Sequence, residues 1–266
     1  MKELGTRALT GAVYVALTLG AAAVGPVTTA LLFLPVCVLG MREMHLLYWE
    51  REGPPLGWSM VMGAIMHSAL AAGILLPGWH MVHSFGIGMI LVLASITWLL
   101  LKGDEAPAHS FGGVLTLLLL VAIPFGLLPA FFGFGRWVFA AFMVLLWTND
   151  TGAYLVGRTI GRTKLLPAVS PKKTVEGLIG GVVLTIGVGW FIAGQQPMLS
   201  RTEWIVLAAI VSITATLGDL LESAFKRARR VKDSGTVMPG HGGILDRFDG
   251  FFLAVPSVML YLYLIR

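Results

Sequence analysis

The sequence predicts an all-α, polytopic integral membrane protein. Two observations carry that expectation. Of its 266 residues, 56% are hydrophobic and 12% charged, with a mean hydropathy of +0.83; soluble domains carry about 25% charged residues. The chain also breaks into apolar runs near the length of about 20 residues that a helix needs to cross a bilayer. A third observation, the placement of Lys and Arg, orients the spans.

Nine spans are expected, at 7–23, 26–44, 57–76, 84–101, 111–131, 137–157, 175–195, 203–222 and 248–265. The first follows Lys2 and Arg7 as a signal peptide would, but no polar mature domain comes after it, so it reads as a retained helix. Gly25-Pro26, Gly53-Pro54-Pro55, Pro77-Gly78 and the turn at Gly133–Gly135 separate spans. Pro35, Pro124, Pro129 and Pro256 fall inside spans and predict kinks there. In the seventh span Gly177, Gly180, Gly181, Gly187 and Gly189 offer small-residue faces for close helix approach. No polar stretch is long enough for a soluble domain. The chain therefore reads as one membrane domain over 1–266, with generic spans to 135 and a catalytic half from 136.

Alternating loops divide Lys and Arg 16 against 3; only Arg136, Arg201 and Arg266 fall on the poorer side. Cationic loops stay cytoplasmic, so the N-terminus is expected inside and the C-terminus outside. The same bias explains the net charge of +5 without nucleic acid as a partner. Cys37 is the single cysteine, so no intrachain disulfide forms. No inverted repeat is visible, which disfavours the common transporter folds.

Polar residues in this setting mark function, because a charge at the centre of a span costs about 2.5–3.5 kcal/mol on the insertion scale. Asp150 lies inside span six, Asp219 inside the end of span eight, and Asp246 and Asp249 open span nine. All four fall toward the cytoplasmic face in the expected topology. If the eighth helix continues, Asp219, Glu222 or Ser223, and Lys226 share one face. Carboxylates from separate spans suit Mg2+, which takes few protein carboxylates together with waters and substrate phosphates. No His/Cys cluster supports zinc. His80 and His83 have HxxH spacing beside Trp79, but in an outer loop.

The densest polar stretch runs from Ser223 to Asp249. Lys226, Arg227, Arg229, Arg230 and Lys232 suit phosphate groups or an anionic leaflet. Pro239-Gly240-His241-Gly242-Gly243 is a flexible turn that brings backbone N–H groups close to a ligand; it is not a Walker A loop. His241 either bonds phosphate or caps span nine. In the preceding cytoplasmic loop, Ser170 or Thr174 caps the helix starting near Val175, and Lys172 and Lys173 stand at its positive end. Arg158, Arg162 and Lys164 add to that field.

At these residues the chain resembles the phosphatidate cytidylyltransferase (CDP-diacylglycerol synthase) family. The signature reads here Ser223, Lys226-Arg227, Lys232-Asp233, Gly235, Pro239, His241-Gly242-Gly243 and Asp246-Arg247-Phe248-Asp249. Met238 stands where Leu, Ile or Phe is usual. The resemblance extends to Asp150–Tyr154, Ser170–Gly177 and Gly218-Asp219. It covers the C-terminal half strongly and the first 135 residues only as generic spans.

The resemblance implies that CTP and phosphatidic acid give CDP-diacylglycerol and pyrophosphate with Mg2+, a second cation being left open. It places metal-binding carboxylates on Asp219 and Asp246, with Asp249 close by. Phosphate contacts fall on Lys172, Lys173, Lys226 and Arg227. Asp219, Lys226 and Asp246 are the expected catalytic residues. Ser170, Ser223, Lys232, Asp233, His241 and Arg247 join the substrate-binding set, and Asp150 and Glu222 are further candidates. The site is expected to face the cytoplasm from the inner membrane, in a homodimer. Two rivals remain at this stage. One is a polyprenol- or phytol-type lipid kinase, which would release nucleoside diphosphate. The other is a transporter coupling ions through Asp150 and Asp219.

Overall fold

Backbone N–H and C=O groups in lipid must be satisfied within their own segment, so apolar runs fold as helices. The computed structural model describes residues 2–49, 53–237 and 242–266, with backbone only for 2–9. Expectations that fall on Arg51, Met238, Pro239, Gly240 and His241, and on the side chains of Lys2 and Arg7, lie outside the described residues. Among the described residues eight helical segments are long and apolar enough to cross a membrane: Pro26–Trp49, Leu56–Leu75, Met81–Lys102, Pro107–Phe134, Val138–Ile160, Val175–Ala193, Arg201–Ala228 and Leu245–Leu264. The expected span at 7–23 lies in α1 (Lys2–Val24), whose described apolar stretch runs Thr10–Val24.

Contacts gather the chain into two compact units: Met1–Ala130 with Val231–Phe248, and Phe131–Arg230 with Asp249–Arg266. In the first unit α1 is followed by α2 (Pro26–Trp49), α3 (Leu56–Leu75), α4 (Met81–Lys102) and α5 (Pro107–Leu117). α2 outruns its apolar stretch because its polar residues find partners: the His45 Nδ1 lies 2.9 Å from the Ser59 hydroxyl. After α5 the ladder widens into a π turn (Leu118–Ala122), resumes as α6 (Ile123–Leu127) and tightens to 3-10 geometry (Leu128–Phe134). Pro124 and Pro129 explain this, since each removes a donor and crowds the preceding turn. Pro35 and Pro256 are carried inside continuous helices. The rings of Phe33, Phe125 and Phe248 pack with centroids 5.3–6.0 Å apart and centre this unit's core.

The second unit holds α7 (Val138–Ile160), α8 (Val175–Ala193), α9 (Arg201–Ala228) and α11 (Phe251–Leu264); the short α10 (Leu245–Phe248) belongs to the first. Between α7 and α8 the all-α expectation needs one addition. β1 (Lys164–Leu166) and β2 (Ser170–Thr174) form an antiparallel hairpin, with Lys164 opposite Thr174 and Leu166 opposite Ser170. Lipid supplies no hydrophobic drive between helices, so close van der Waals approach must hold them. The glycines provide it. A methyl at Gly177 would lie 2.7 Å from the Ala153 carbonyl oxygen and 3.1 Å from the Gly157 Cα. One at Gly181 would lie 2.9 Å from Asn149 Oδ1. A polar seam joins α7 to α9: Ser212 donates to Asn149 Oδ1, and Asn149 donates to the Thr216 hydroxyl at 3.4 Å.

Candidate active site

Three polar helix ends meet in the second unit. The hairpin is fastened to α8 by Glu176, whose carboxylate accepts the Arg162 N–H at 3.0 Å and the Thr163 N–H at 3.1 Å. Thr174 caps α8, its hydroxyl accepting the Gly177 N–H at 3.1 Å. That settles the cap on Thr174 and leaves Ser170 in the strand. Lys172 and Lys173 therefore sit on a short arm tied at its root rather than on a loose loop.

The arm, the C-terminal half of α7 and one turn of α9 enclose a cavity of about 430 Å3. Its polar lining includes Asp150, Arg158, Lys172, Lys173, Thr216 and Asp219. Lys173 pairs with Asp219, with the two side chains 27% and 30% exposed. Asp150, Asp219 and Asp249 lie close enough to feel one another's charge, and Lys173 offsets part of that repulsion. Arg158 donates to the Tyr154 hydroxyl at 3.0 Å. A neighbouring apolar recess of about 300 Å3 shares Leu165, Leu178 and Thr216 with this cavity. An anion with an apolar tail matches that combination of linings.

α9 continues through Ala228, so the expected shared face forms. Ser223 donates to Asp219 Oδ1 at 3.3 Å. Lys226 pairs with Glu222 one turn earlier, and that pair is buried. Lys226 and Glu222 thus sit beside the cavity residues along the helix without lining the cavity itself. Arg227 donates to the Val169 carbonyl at 3.3 Å, bracing the hairpin turn.

In the first unit, Ser234 and the residues that open α10 bond to two carboxylates. Asp246 Oδ2 accepts the N–H of Ser234 and of Gly243, both at 2.8 Å, and the Ser234 hydroxyl at 3.1 Å. Glu43, fully buried in α2, accepts the N–H of Ile244 and of Leu245, both at 3.0 Å, and the Ser234 hydroxyl at 2.8 Å. Lys232, Asp233 and Arg247 are exposed around this segment.

The sequence model of the cytidylyltransferase family matches residues 5–265. The chain belongs to that family. Similar curated proteins carry the name phosphatidate cytidylyltransferase. That of Staphylococcus epidermidis is 44% identical over 129 residues, 48% of this chain and 49% of its own length. That of Bacillus subtilis is 44% identical over 123 residues, covering 46% of this chain and 45% of the relative. That of Staphylococcus aureus is 43% identical over 133 residues. The chain spans about half the length of the curated relatives it matches.

Family membership directs attention to the donor set. Among the described residues no group of three or more His, Cys, Asp or Glu side chains is disposed to hold a metal ion. Asp150 and Asp219 nevertheless open into one cavity, with Asp249 in electrostatic reach. They are hard oxygen donors of the kind Mg2+ takes one or two at a time beside substrate phosphates. The residues fit such an ion. Sequence reasoning missed Glu43, Asn149 and Ser234. For Glu43 a signal was present, a carboxylate at the end of an apolar span; for Asn149 and Ser234 residue type gave none.

Proposed function

We propose that this chain is a phosphatidate cytidylyltransferase, converting CTP and phosphatidic acid into CDP-diacylglycerol and pyrophosphate. The observation that carries the proposal is the cavity of the second unit, where Lys172, Lys173 and Arg158 face Asp150 and Asp219 in a chain of this family. The names of the relatives support the choice of substrates.

A phosphate oxygen of the lipid attacks the α-phosphorus of CTP; a new P–O–P bond forms and the bond to pyrophosphate breaks. The nucleophile is already an oxyanion, so no strong general base is required. The chain's task is to hold two polyanions together and offset their repulsion. Lys172 on its arm contacts phosphate, and Lys173 exchanges part of its pairing with Asp219 for the incoming anion. Ser170, Ser223 and Arg227 border this set. Within the second unit, Asp219 and Asp249 are the carboxylates proposed for Mg2+; for Asp246 of the first unit the metal-binding role is the one the family resemblance implies. When bound, Mg2+ supplies Lewis-acid polarisation and charge neutralisation at phosphate oxygens. Lys226, held by Glu222, keeps positive charge beside Asp219 on α9, and Lys232, Asp233, His241 and Arg247 complete the substrate-binding set. The site faces the cytoplasm from the inner membrane, and the protein is a homodimer.

The test is product analysis. Purified protein with Mg2+, CTP and phosphatidic acid should release one pyrophosphate per CDP-diacylglycerol formed. Release of nucleoside diphosphate would indicate a kinase instead. Nucleotide-independent counterflow in proteoliposomes would indicate a transporter.

A further inference from the structure

Glu43 stands in a segment that the sequence marks only as a generic span, yet no atom of it reaches solvent. A carboxylate in such a place is costly unless fully engaged. Here both oxygens are engaged. Oε1 accepts Ile244 N–H, and Oε2 accepts Leu245 N–H and the Ser234 hydroxyl. That hydroxyl also donates to Asp246 Oδ2, so one serine links the two carboxylates.

The backbone closes around Glu43 so tightly that side chains are excluded. A methyl at Gly235 would have three atoms of Glu43 as its nearest neighbours, the closest 2.5 Å away. One at Gly243 would lie 2.1 Å from the Ser234 hydroxyl oxygen and 2.3 Å from Glu43 Oε2. Gly235 and Gly243 are thus small because of a residue about 200 positions earlier, at separations of 201 and 202 for the two backbone bonds.

We infer that Glu43 is a positioning residue: its buried carboxylate ties Ser234 to the start of α10 at Ile244 and Leu245 and thereby fixes the direction in which Asp246 is presented. It touches neither substrate and acts through those residues. The inference rests on the proposed cytidylyl transfer for its kinetic readout only. Glutamine is a poor substitute, because its NH2 group would face a backbone N–H or the donating serine. Alanine removes the clamp altogether.

The experiment uses the full chain purified in detergent, comparing wild type with Glu43→Gln, Glu43→Ala, Gly235→Ala and the Gly235→Ala/Glu43→Ala double variant. Hydrogen exchange is followed on peptides covering Gly242–Phe248, and kcat and KM are measured with CTP, phosphatidic acid and Mg2+. Glu43→Gln should speed exchange at Ile244 and Leu245 and lower kcat per folded molecule about tenfold or more, the factor expected for a hydrogen bond to a charged group. KM for phosphatidic acid should change little. Gly235→Ala should be harmful alone and much less so once Glu43 is alanine, because the three atoms nearest the new methyl have gone. Unchanged exchange overturns the inference. So does faster exchange with unaltered kcat, which would make Glu43 merely structural, and so does an additive double variant. Should Glu43→Ala fail to fold, Glu43→Gln and Gly235→Ala decide. An inactive wild type would defeat the proposed function instead, with the exchange measurements still judging the clamp.

Discussion

Replacing Asp219 by asparagine should separate chemistry from folding. Its carboxylate pairs with Lys173, but the two side chains keep 30% and 27% of their exposure. An ion pair this open contributes about 0–1 kcal/mol to stability. The melting midpoint should therefore fall by no more than roughly 4 °C. Ser223 keeps an acceptor in the amide oxygen, so its bond to position 219 survives. Activity should respond on another scale. Removing one preorganised electrostatic contributor from a phosphoryl-type transition state costs about 2.7–4 kcal/mol, or roughly 10²–10³ in rate. The assay is pyrophosphate release at saturating CTP and phosphatidic acid, run beside a thermal melt of the same preparation. Turnover within about threefold of wild type, less than 1 kcal/mol of barrier, would remove Asp219 from the reaction. A large loss of melting temperature with no loss of specific activity would overturn the exposure argument itself.

The buried pair in α9 should behave in the opposite way. Glu222→Ala removes one partner of a buried ion pair and should destabilise by about 3–5 kcal/mol, read as an early thermal transition. Gly181→Ala forces a methyl to 2.9 Å from Asn149 Oδ1 and 3.1 Å from its carbonyl oxygen; overpacking of that kind should cost about 1–3 kcal/mol, measured by detergent or urea denaturation. Thr174→Ala removes the cap of α8 and should cost about 1 kcal/mol. It should also loosen the arm bearing Lys172 and Lys173, raising KM for CTP more than it lowers kcat.

What the sequence makes legible follows from the range of the interactions involved. The spans are readable because lipid imposes one rule on every residue of a segment. The Asp219–Ser223 and Glu222–Lys226 contacts are readable because they are one turn apart on a helix, and α9 does run through both. The small-residue faces of Gly177 and Gly181 are legible too, though the helix they meet, α7, is not. The π and 3-10 turns after α5 were foreshadowed as irregularity by Pro124 and Pro129, though not in form. The hairpin was not legible. Ser170-Pro171-Lys172-Lys173 shows no alternation of apolar and polar residues, and the strands owe their place to Glu176 holding Arg162 and Thr163. Glu43 carried a signal of its own, a carboxylate at the end of an apolar span, but its partners were not legible: two are main-chain amides, which carry no sequence signal, and the third is the Ser234 hydroxyl.

Asn149 has a consequence for how the chain is made. Its amide is satisfied by hydroxyls of α9, the first of them 63 residues further along. When α7 leaves the ribosome those hydroxyls have not been synthesised, and hydrocarbon offers no substitute partner. α7 is therefore made before its final polar partners exist, and the Asn149 amide reaches its native pairing only once α9 is in place. The order of translation is in this way written into the packing of the finished helices.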